Sequence, residues 1–358
     1  MYLKSLSLQH FRSYKKASFT FDPHTTVIIG PNAAGKSNLV EAIGLFATGK
    51  SFRTAKEIQL VAFEEPVAHL NAEVQDGEDI DTMDITISFS PTGMLLKRYQ
   101  VNGVPRRRVD FTAKLSAVLF TPLDLDIVSG QPGDRRRYMD EVLSQTDQEY
   151  DNALTLYSKA LRQRNALLEF VQKSGRRDEE RFAYWDNLLI QNGDIIAKKR
   201  EELISYINAQ EKNLFPFILT YDKSVISRAR LDQYKDAEVG AGVTLVGPQR
   251  DDVFIQSFHP VSQELEDVKY FCSRGQQRLV TLELKKAQIF YLREQLNVQP
   301  LLILDDIFSE LDSEHIKHVL HMTHQYQTII TTTHKEFVDE NLEGTHAVIE
   351  LGGKNFNS

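Results

Sequence analysis

An α/β fold is predicted, with a mixed sheet assembled from both ends of the chain and a mainly helical lobe inserted between them. Three observations predict it. Near the start, the apolar run Val27-Ile28-Ile29 leads into Gly30-Pro31-Asn32-Ala33-Ala34-Gly35-Lys36-Ser37 and then a helical pattern from Asn38 to Thr48. Near the end, Leu301-Leu302-Ile303-Leu304 is the most apolar strand pattern in the chain, and it stops at Asp305-Asp306. Between them, long segments repeat apolar residues at spacings of three and four, the mark of packed helices.

The elements follow in order. Leu6 and Leu8, then Ala17, Phe19 and Phe21, alternate with polar residues, so three strands are expected up to Ile29, with a turn at Asp22-Pro23. Gly49-Lys50-Ser51-Phe52-Arg53 breaks the chain after the loop helix and carries two cations toward the loop. Met83, Ile85, Ile87 and Phe89 alternate, Pro91-Thr92-Gly93 turns, and Asn102-Gly103 marks a hairpin after Val101. Composition changes near Pro122. Helical patterns run from Asp134 to about Lys173 and from about Asp178 to Lys212. Their seams read Leu154, Tyr157, Leu161, Arg164, Leu168, Val171 and Phe182, Trp185, Leu189, Asn192, Ile196, Lys199, Leu203, Tyr206. Joined by Ser174-Gly175-Arg176-Arg177, they predict a short antiparallel helical arm over about 134–212. Strands return at Phe217 to Tyr221 and Val243 to Val246. A helix opens at Ser273 and runs to about Glu294, and a last buried strand runs from Thr328 to Thr333. The expected division is 1–122 with 296–358, and 123–295 between them.

Composition sets the bounds. The 358 residues allow two domains, and 41% hydrophobic with 26% charged residues is ordinary for a globular protein. No apolar run approaches the ~20 residues of a membrane span, and Met1-Tyr2-Leu3-Lys4 lacks the features of a signal peptide. One cysteine, Cys272, rules out an internal disulfide and fits a reducing cytoplasm. A net charge of −8 argues against a chain coated in nucleic acid, although local basic patches exist.

The loop fits G-x-x-x-x-G-K-[ST] at every fixed position. Its glycines let backbone N–H groups point at an anion, and the helix behind it adds the positive end of its dipole. Lys36 is then expected to reach the β- and γ-phosphates of a nucleoside triphosphate, and the Ser37 hydroxyl to ligate Mg²⁺. Asp305-Asp306 has the form of a Walker B motif: Asp305 is assigned to the metal and Asp306 to the attacking water. Ser273-Arg274-Gly275-Gln276-Gln277 looks like the signature motif of ATP-binding-cassette (ABC) ATPases. Its hydroxyl, glycine N–H and helix start make a second anion site, which in that class faces the γ-phosphate of a neighbouring subunit's ATP. Ser309-Glu310-Leu311-Asp312 occupies the place of the D-loop, and His334 matches the γ-phosphate-sensing histidine. No glutamine stands where a Q-loop is expected, at Phe120 to Asp124. The motifs together specify an ABC-type P-loop ATPase head.

With these motifs in place the sequence resembles the RecF family of recombination-repair ATPases, allied to the SMC proteins. The resemblance rests on Phe11-Arg12-Ser13-Tyr14, Gly35-Lys36-Ser37-Asn38-Leu39-Val40-Glu41-Ala42-Ile43, Gly49-Lys50-Ser51-Phe52-Arg53 and Gly133-Asp134-Arg135-Arg136-Arg137-Tyr138-Met139-Asp140. It continues through Gly247-Pro248-Gln249-Arg250-Asp251-Asp252 and Leu304-Asp305-Asp306-Ile307-Phe308-Ser309-Glu310-Leu311-Asp312. Gln249 replaces the family's usual histidine, and Asp306 the glutamate of the wider class. The resemblance implies an ATP-dependent clamp that forms a homodimer on single-stranded and duplex gap DNA. It would act with RecO- and RecR-type mediators to load a recombinase filament, as part of the response to DNA damage, with slow hydrolysis as a switch. It also implies nucleotide contacts from Arg12 and Asn38, beside those of the loop and of Ser273, Gly275 and Gln276.

For DNA, Lys97, Arg98, Arg106, Arg107, Arg108 and Lys114 cluster around the Asn102-Gly103 hairpin and suit phosphate contacts without base reading. Arg135, Arg136 and Arg137 open a helix, where cations oppose the dipole, so a carboxylate of the protein or an anionic ligand must compensate. A transporter ATPase subunit and an SMC-like tether are the alternatives. The internal arm argues against the first, and helices of fewer than ~40 residues argue against the second.

Overall fold

The computed structural model describes residues 1–53, 57–259, 264–306, 316, 319–320, 325–333 and 346–352. They form two compact units: Met1–Asp124 with Gln288–Ser358, and Leu125–Ala287. The expected α/β class holds, with parallel and antiparallel strands segregated into separate sheets.

The first unit opens with β1 (Tyr2–Phe11), β2 (Tyr14–Thr20) and β3 (Thr25–Ile29), then α1 (Lys36–Thr48). β4 (Val67–Asp76), β5 (Asp79–Phe89), β6 (Leu95–Val101) and β7 (Val104–Arg106) follow, with α2 (Arg108–Thr112) and β8 (Ala117–Phe120). Strands β2-β1-β4-β5-β6-β7 make an antiparallel sheet. Its buried face carries Leu6, Leu8, Leu70, Met83 and Ile85, one residue in two, as the period of the pleat requires. α1 is apolar nearly all round and has ten of its thirteen residues buried, so it serves as a core helix rather than a surface one.

The second unit holds α3 (Asp126–Ser129), α4 (Pro132–Thr146), α5 (Gln148–Ser174), α6 (Glu179–Ala209), β9 (Ile218–Asp222), α7 (Arg228–Gln233) and α8 (Lys235–Ala241). β10 (Asp252–Phe258), β11 (Leu265–Asp267) and α9 (Val268–Phe271) complete it, and its boundary falls inside α10 (Arg274–Leu296). Strands β11-β10-β9 form a small antiparallel sheet.

Three expectations are corrected here, and the first is the strand expected at Val243 to Val246, which is irregular chain running into the turn at Gly247-Pro248. The helix expected from Asp134 to Lys173 is two helices, because Asp147 leaves helical geometry at φ −133° and its carboxylate caps α5 by accepting from Tyr150 N–H. The α6 seam also drifts by one residue. Arg200, not Lys199, is the buried cation, while Lys199 pairs at the rim with Asp147 at 2.7 Å. Arg200 reaches Asp140 (2.8 Å) and Asp251 (2.9 Å), and Arg164 reaches Asp186 and Glu238, both at 2.7 Å. Each of these buried cations is therefore paired internally.

The chain returns to the first unit for β12 (Leu301–Asp305), β13 (Thr328–Thr332) and β14 (Ala347–Glu350). The order β14-β3-β13-β12-β8 gives an all-parallel sheet whose central strands are buried on both faces. β3 and β12 thus deliver the loop and Asp305-Asp306 at the carboxyl ends of parallel strands separated only by β13. Among the described residues no helix is long and apolar enough to cross a membrane.

Candidate functional site

The loop after β3 is bent by Ala33 (φ 67°) and Gly35 (φ 103°), both in the left-handed region. Gly35 also packs under Tyr14, since a Cβ there would meet the Tyr14 hydroxyl at 2.8 Å, and that hydroxyl donates to the Gly35 carbonyl at 3.1 Å. Gly30 has a different reason: a Cβ would meet the Leu351 carbonyl oxygen at 2.8 Å, so the strand end after β14 walls the loop. Lys36 and Ser37 open α1, where N–H groups have no carbonyl one turn back within the helix. Pro31, Asn32 and Ala33 are exposed and Ala34 is half-buried.

The Lys36 ammonium is buried and donates to the carbonyls of Gly30 (2.6 Å) and Pro31 (3.1 Å). Burial lowers its pKa, opposed by the nearby carboxylates of Asp306 and Asp305. Ser37 Oγ lies 3.5 Å from Asp305 Oδ1. Thr331 Oγ1 donates to the same oxygen at 2.7 Å. Burial raises the Asp305 pKa, and the two hydroxyl donors hold it down. Asp306 takes a left-handed φ of 54°, a conformation that Asp tolerates better than most side chains, and its N–H donates to Thr331 Oγ1 (3.1 Å) and Thr331 O (3.3 Å). Aspartate at this position therefore matches the backbone as well as the charge.

Beside the loop, Asn38 accepts from Arg53 (2.8 Å) and donates to Ser13 (2.8 Å). Arg12 lies bidentate on Glu41 (2.9 and 2.6 Å), a fully buried carboxylate on α1 that also takes the Ser51 hydroxyl. In the second unit, Ser273 and Gln276 form a reciprocal cap at the start of α10: Ser273 N–H donates to Gln276 Oε1 (2.9 Å) and Gln276 N–H to Ser273 Oγ (3.3 Å). Ser273 and Gly275 are exposed, and a Cβ on Gly275 would meet only Ser273 Oγ, at 3.9 Å. His334 and Ser309 to Asp312 lie outside the described residues.

The basic residues divide. Arg106 is exposed, and Arg107 is exposed with a partner one helical turn on, Asp110 at 2.8 Å. Arg108 instead turns inward, donating to the Thr48 carbonyl at 3.2 Å with its side-chain carbons against Gly49. Lys97 pairs with Glu57 and Lys114 with Asp81. Arg135 pairs with Asp252 (2.7 Å) and Arg136 donates to the Asp251 carbonyl, so protein groups offset the cations at the start of α4. Sequence reasoning missed Thr331, Leu351 and Arg200. No signal close by in the chain points to Thr331 or Leu351, since each meets the site only through the strand order of the parallel sheet.

The chain can thus offer an anion the N–H groups at the start of α1 and a buried ammonium, and offer a hard cation one hydroxyl and one carboxylate. Mg²⁺ at phosphate sites keeps several waters and takes only one or two protein ligands, so Ser37 with Asp305 fits it.

A family model described as the RecF/RecN/SMC N terminal domain matches residues 2–351. The DNA replication and repair protein RecF of Shouchella clausii is 35% identical over 367 residues, covering 96% of this chain and 95% of that one. RecF of a Cyanothece species is 35% identical over 382 residues, covering 100% and 98%. Among solved structures, the recombination mediator protein RecF-ATP of the RecFOR pathway superposes with a TM-score of 0.84 at 28% identity, over 98% of this chain and 95% of that one. An SMC head bound to a ScpA domain, at 17% identity and a TM-score of 0.50, shares the fold. The chain belongs to the RecF family of DNA replication and repair proteins.

Proposed function

We propose that this chain is a cytoplasmic, ATP-dependent DNA clamp of recombinational repair, in which ATP with Mg²⁺ at the Gly30–Ser37 loop closes two copies over single-stranded and duplex gap DNA. The observation that carries it is the meeting of Lys36, Ser37 and Asp305 at the mouth of one left-handed loop. The family's ATP-bound structure supports the choice of nucleotide.

Each residue then has a role. Lys36 and the N–H groups of the loop neutralise and orient the β- and γ-phosphates, and Arg12 and Asn38 hold the loop helix beside them. Ser37 and Asp305 hold Mg²⁺, which supplies charge neutralisation on the transferring phosphate. Asp306 orients the attacking water and accepts its proton; turnover is slow and acts as a switch. Ser273, Gly275 and Gln276 receive the γ-phosphate of the second copy, with His334 sensing it. Arg106 and Arg107 touch DNA phosphates, while Arg108, Arg135 and Arg136 stabilise the surfaces around them. RecO- and RecR-type mediators and a recombinase filament are the partners.

The test is fluorescence anisotropy of gapped, single-stranded and blunt duplex DNA with ATP, ADP or no nucleotide. Tighter binding with ATP, strongest on the gap, is expected; binding indifferent to nucleotide would overturn the clamp.

A further inference from the structure

One buried hydroxyl holds both carboxylate residues of the site. Thr331 is fully buried on β13 and stands opposite Asp305 in the β12–β13 ladder. Parallel neighbours in register place their side chains on the same face of the sheet. Thr331 Oγ1 donates to Asp305 Oδ1 at 2.7 Å and accepts from Asp306 N–H at 3.1 Å. A hydroxyl has one proton to give and lone pairs to spare, so the direction of this chain is fixed: Asp306 N–H to Thr331, Thr331 O–H to Asp305. Ser37 Oγ approaches the same Asp305 oxygen from the loop side, at 3.5 Å.

We propose that Thr331 is a positioning residue for the metal and the hydrolytic water, aiming Asp305 at the cation and holding Asp306 in its left-handed conformation. This rests on the assignment of Mg²⁺ to Ser37 and Asp305. With Oδ1 held by Thr331 and approached by Ser37 from the loop side, the Asp305 carboxylate is fixed where it and the Ser37 hydroxyl can share one cation. Thr331→Val would keep the shape and remove both bonds. The Asp306 N–H would then fall back on its longer bond to the carbonyl of residue 331, at 3.3 Å. Groups that orient a metal ligand typically matter ten- to a hundredfold for metal affinity.

The test measures binding rather than turnover. A fluorescent ATP analogue is titrated with Mg²⁺ on wild type, Thr331→Val and Thr331→Ser, with thermal melting alongside. Thr331→Val is expected to raise the Mg²⁺ concentration for half-maximal nucleotide binding about tenfold or more, whereas Thr331→Ser, which keeps the hydroxyl, stays within about threefold of wild type. Should the valine variant fail to fold, Thr331→Ala is read in the same way. A lower melting temperature with an unmoved Mg²⁺ midpoint would make Thr331 structural only and overturn the proposal, as would equal shifts in the valine and serine variants. If wild type binds nucleotide with no dependence on Mg²⁺, the metal assignment falls first and Thr331 with it; that outcome appears in the wild-type arm alone.

Discussion

Replacing Arg106 and Arg107 with Ala should make DNA binding less sensitive to salt by an amount the structure sets. The three consecutive arginines are not equivalent. Arg106 and Arg107 are exposed, and Arg107 has only a surface pair with Asp110, worth little against a phosphate in water. Arg108 is bound to the Thr48 carbonyl and packs on Gly49, so it has no reach to a ligand. Removing one phosphate contact flattens the plot of log affinity against log salt by about 0.9, and removing two flattens it by up to ~1.8. Between about 50 and 200 mM salt, the affinity of wild type should then fall about tenfold further than that of the double variant. Arg108→Ala should leave the slope alone and destabilise the first unit by about 1–2 kcal/mol, because it deletes a charged hydrogen bond and its packing. Anisotropy titrations over a salt series, with melting curves, read both. A slope unchanged in the double variant, or flattened by Arg108→Ala, would refute the division.

Lys36→Ala should weaken ATP binding by roughly a hundredfold or more, since each hydrogen bond from a charged group to phosphate is worth about 1.5–3 kcal/mol. Calorimetry would detect it, and near-normal affinity would remove the loop as the site. Asp306→Asn keeps a side chain that tolerates φ 54°, so ATP should bind normally while turnover falls about 10²–10⁴-fold; wild-type turnover would mean another group takes the proton. Arg164→Leu strands the buried carboxylate of Glu238 and leaves the buried Asp186 with Arg228 as its remaining cation, and a loss of about 3–5 kcal/mol is expected in denaturant unfolding. A loss under about 1 kcal/mol would show that the arginine was not compensating those charges.

Local pattern carried the loop, the alternating strands and the helical arm, because each is written in residues close together in the chain. The RecF resemblance, spread over six motifs, was legible for the same reason. Small errors came where a local rule competed with another. The spacing of α5 ran straight through Asp147, whose capping carboxylate ended one helix and began the next. On α6 a strict seven-residue seam pointed to Lys199, but a straight helix drifts by about 20° per heptad and buried Arg200 instead. Long-range contacts were not legible at all. Nothing near Gly30 announces that Leu351 will press its carbonyl against it, and nothing near Asp305 announces Thr331. The candidate site residues stand in local motifs, whereas the residues packed against them come from distant strands of the parallel sheet.

The central claim is that ATP forms part of the interface between two copies, and sedimentation velocity tests it most directly. Ser273 and Gly275 stand exposed at the capped start of α10, where the proposed clamp puts the γ-phosphate of a second chain. A two-fold axis would use each such site twice. ATP can drive association only as far as it binds the dimer better than the monomer, and ADP lacks the bridging group. Wild type should sediment as a dimer with ATP and a monomer with ADP, while Ser273→Arg binds ATP and stays monomeric. Equal dimerisation of wild type in both nucleotides would contradict the clamp, even with ATP binding intact.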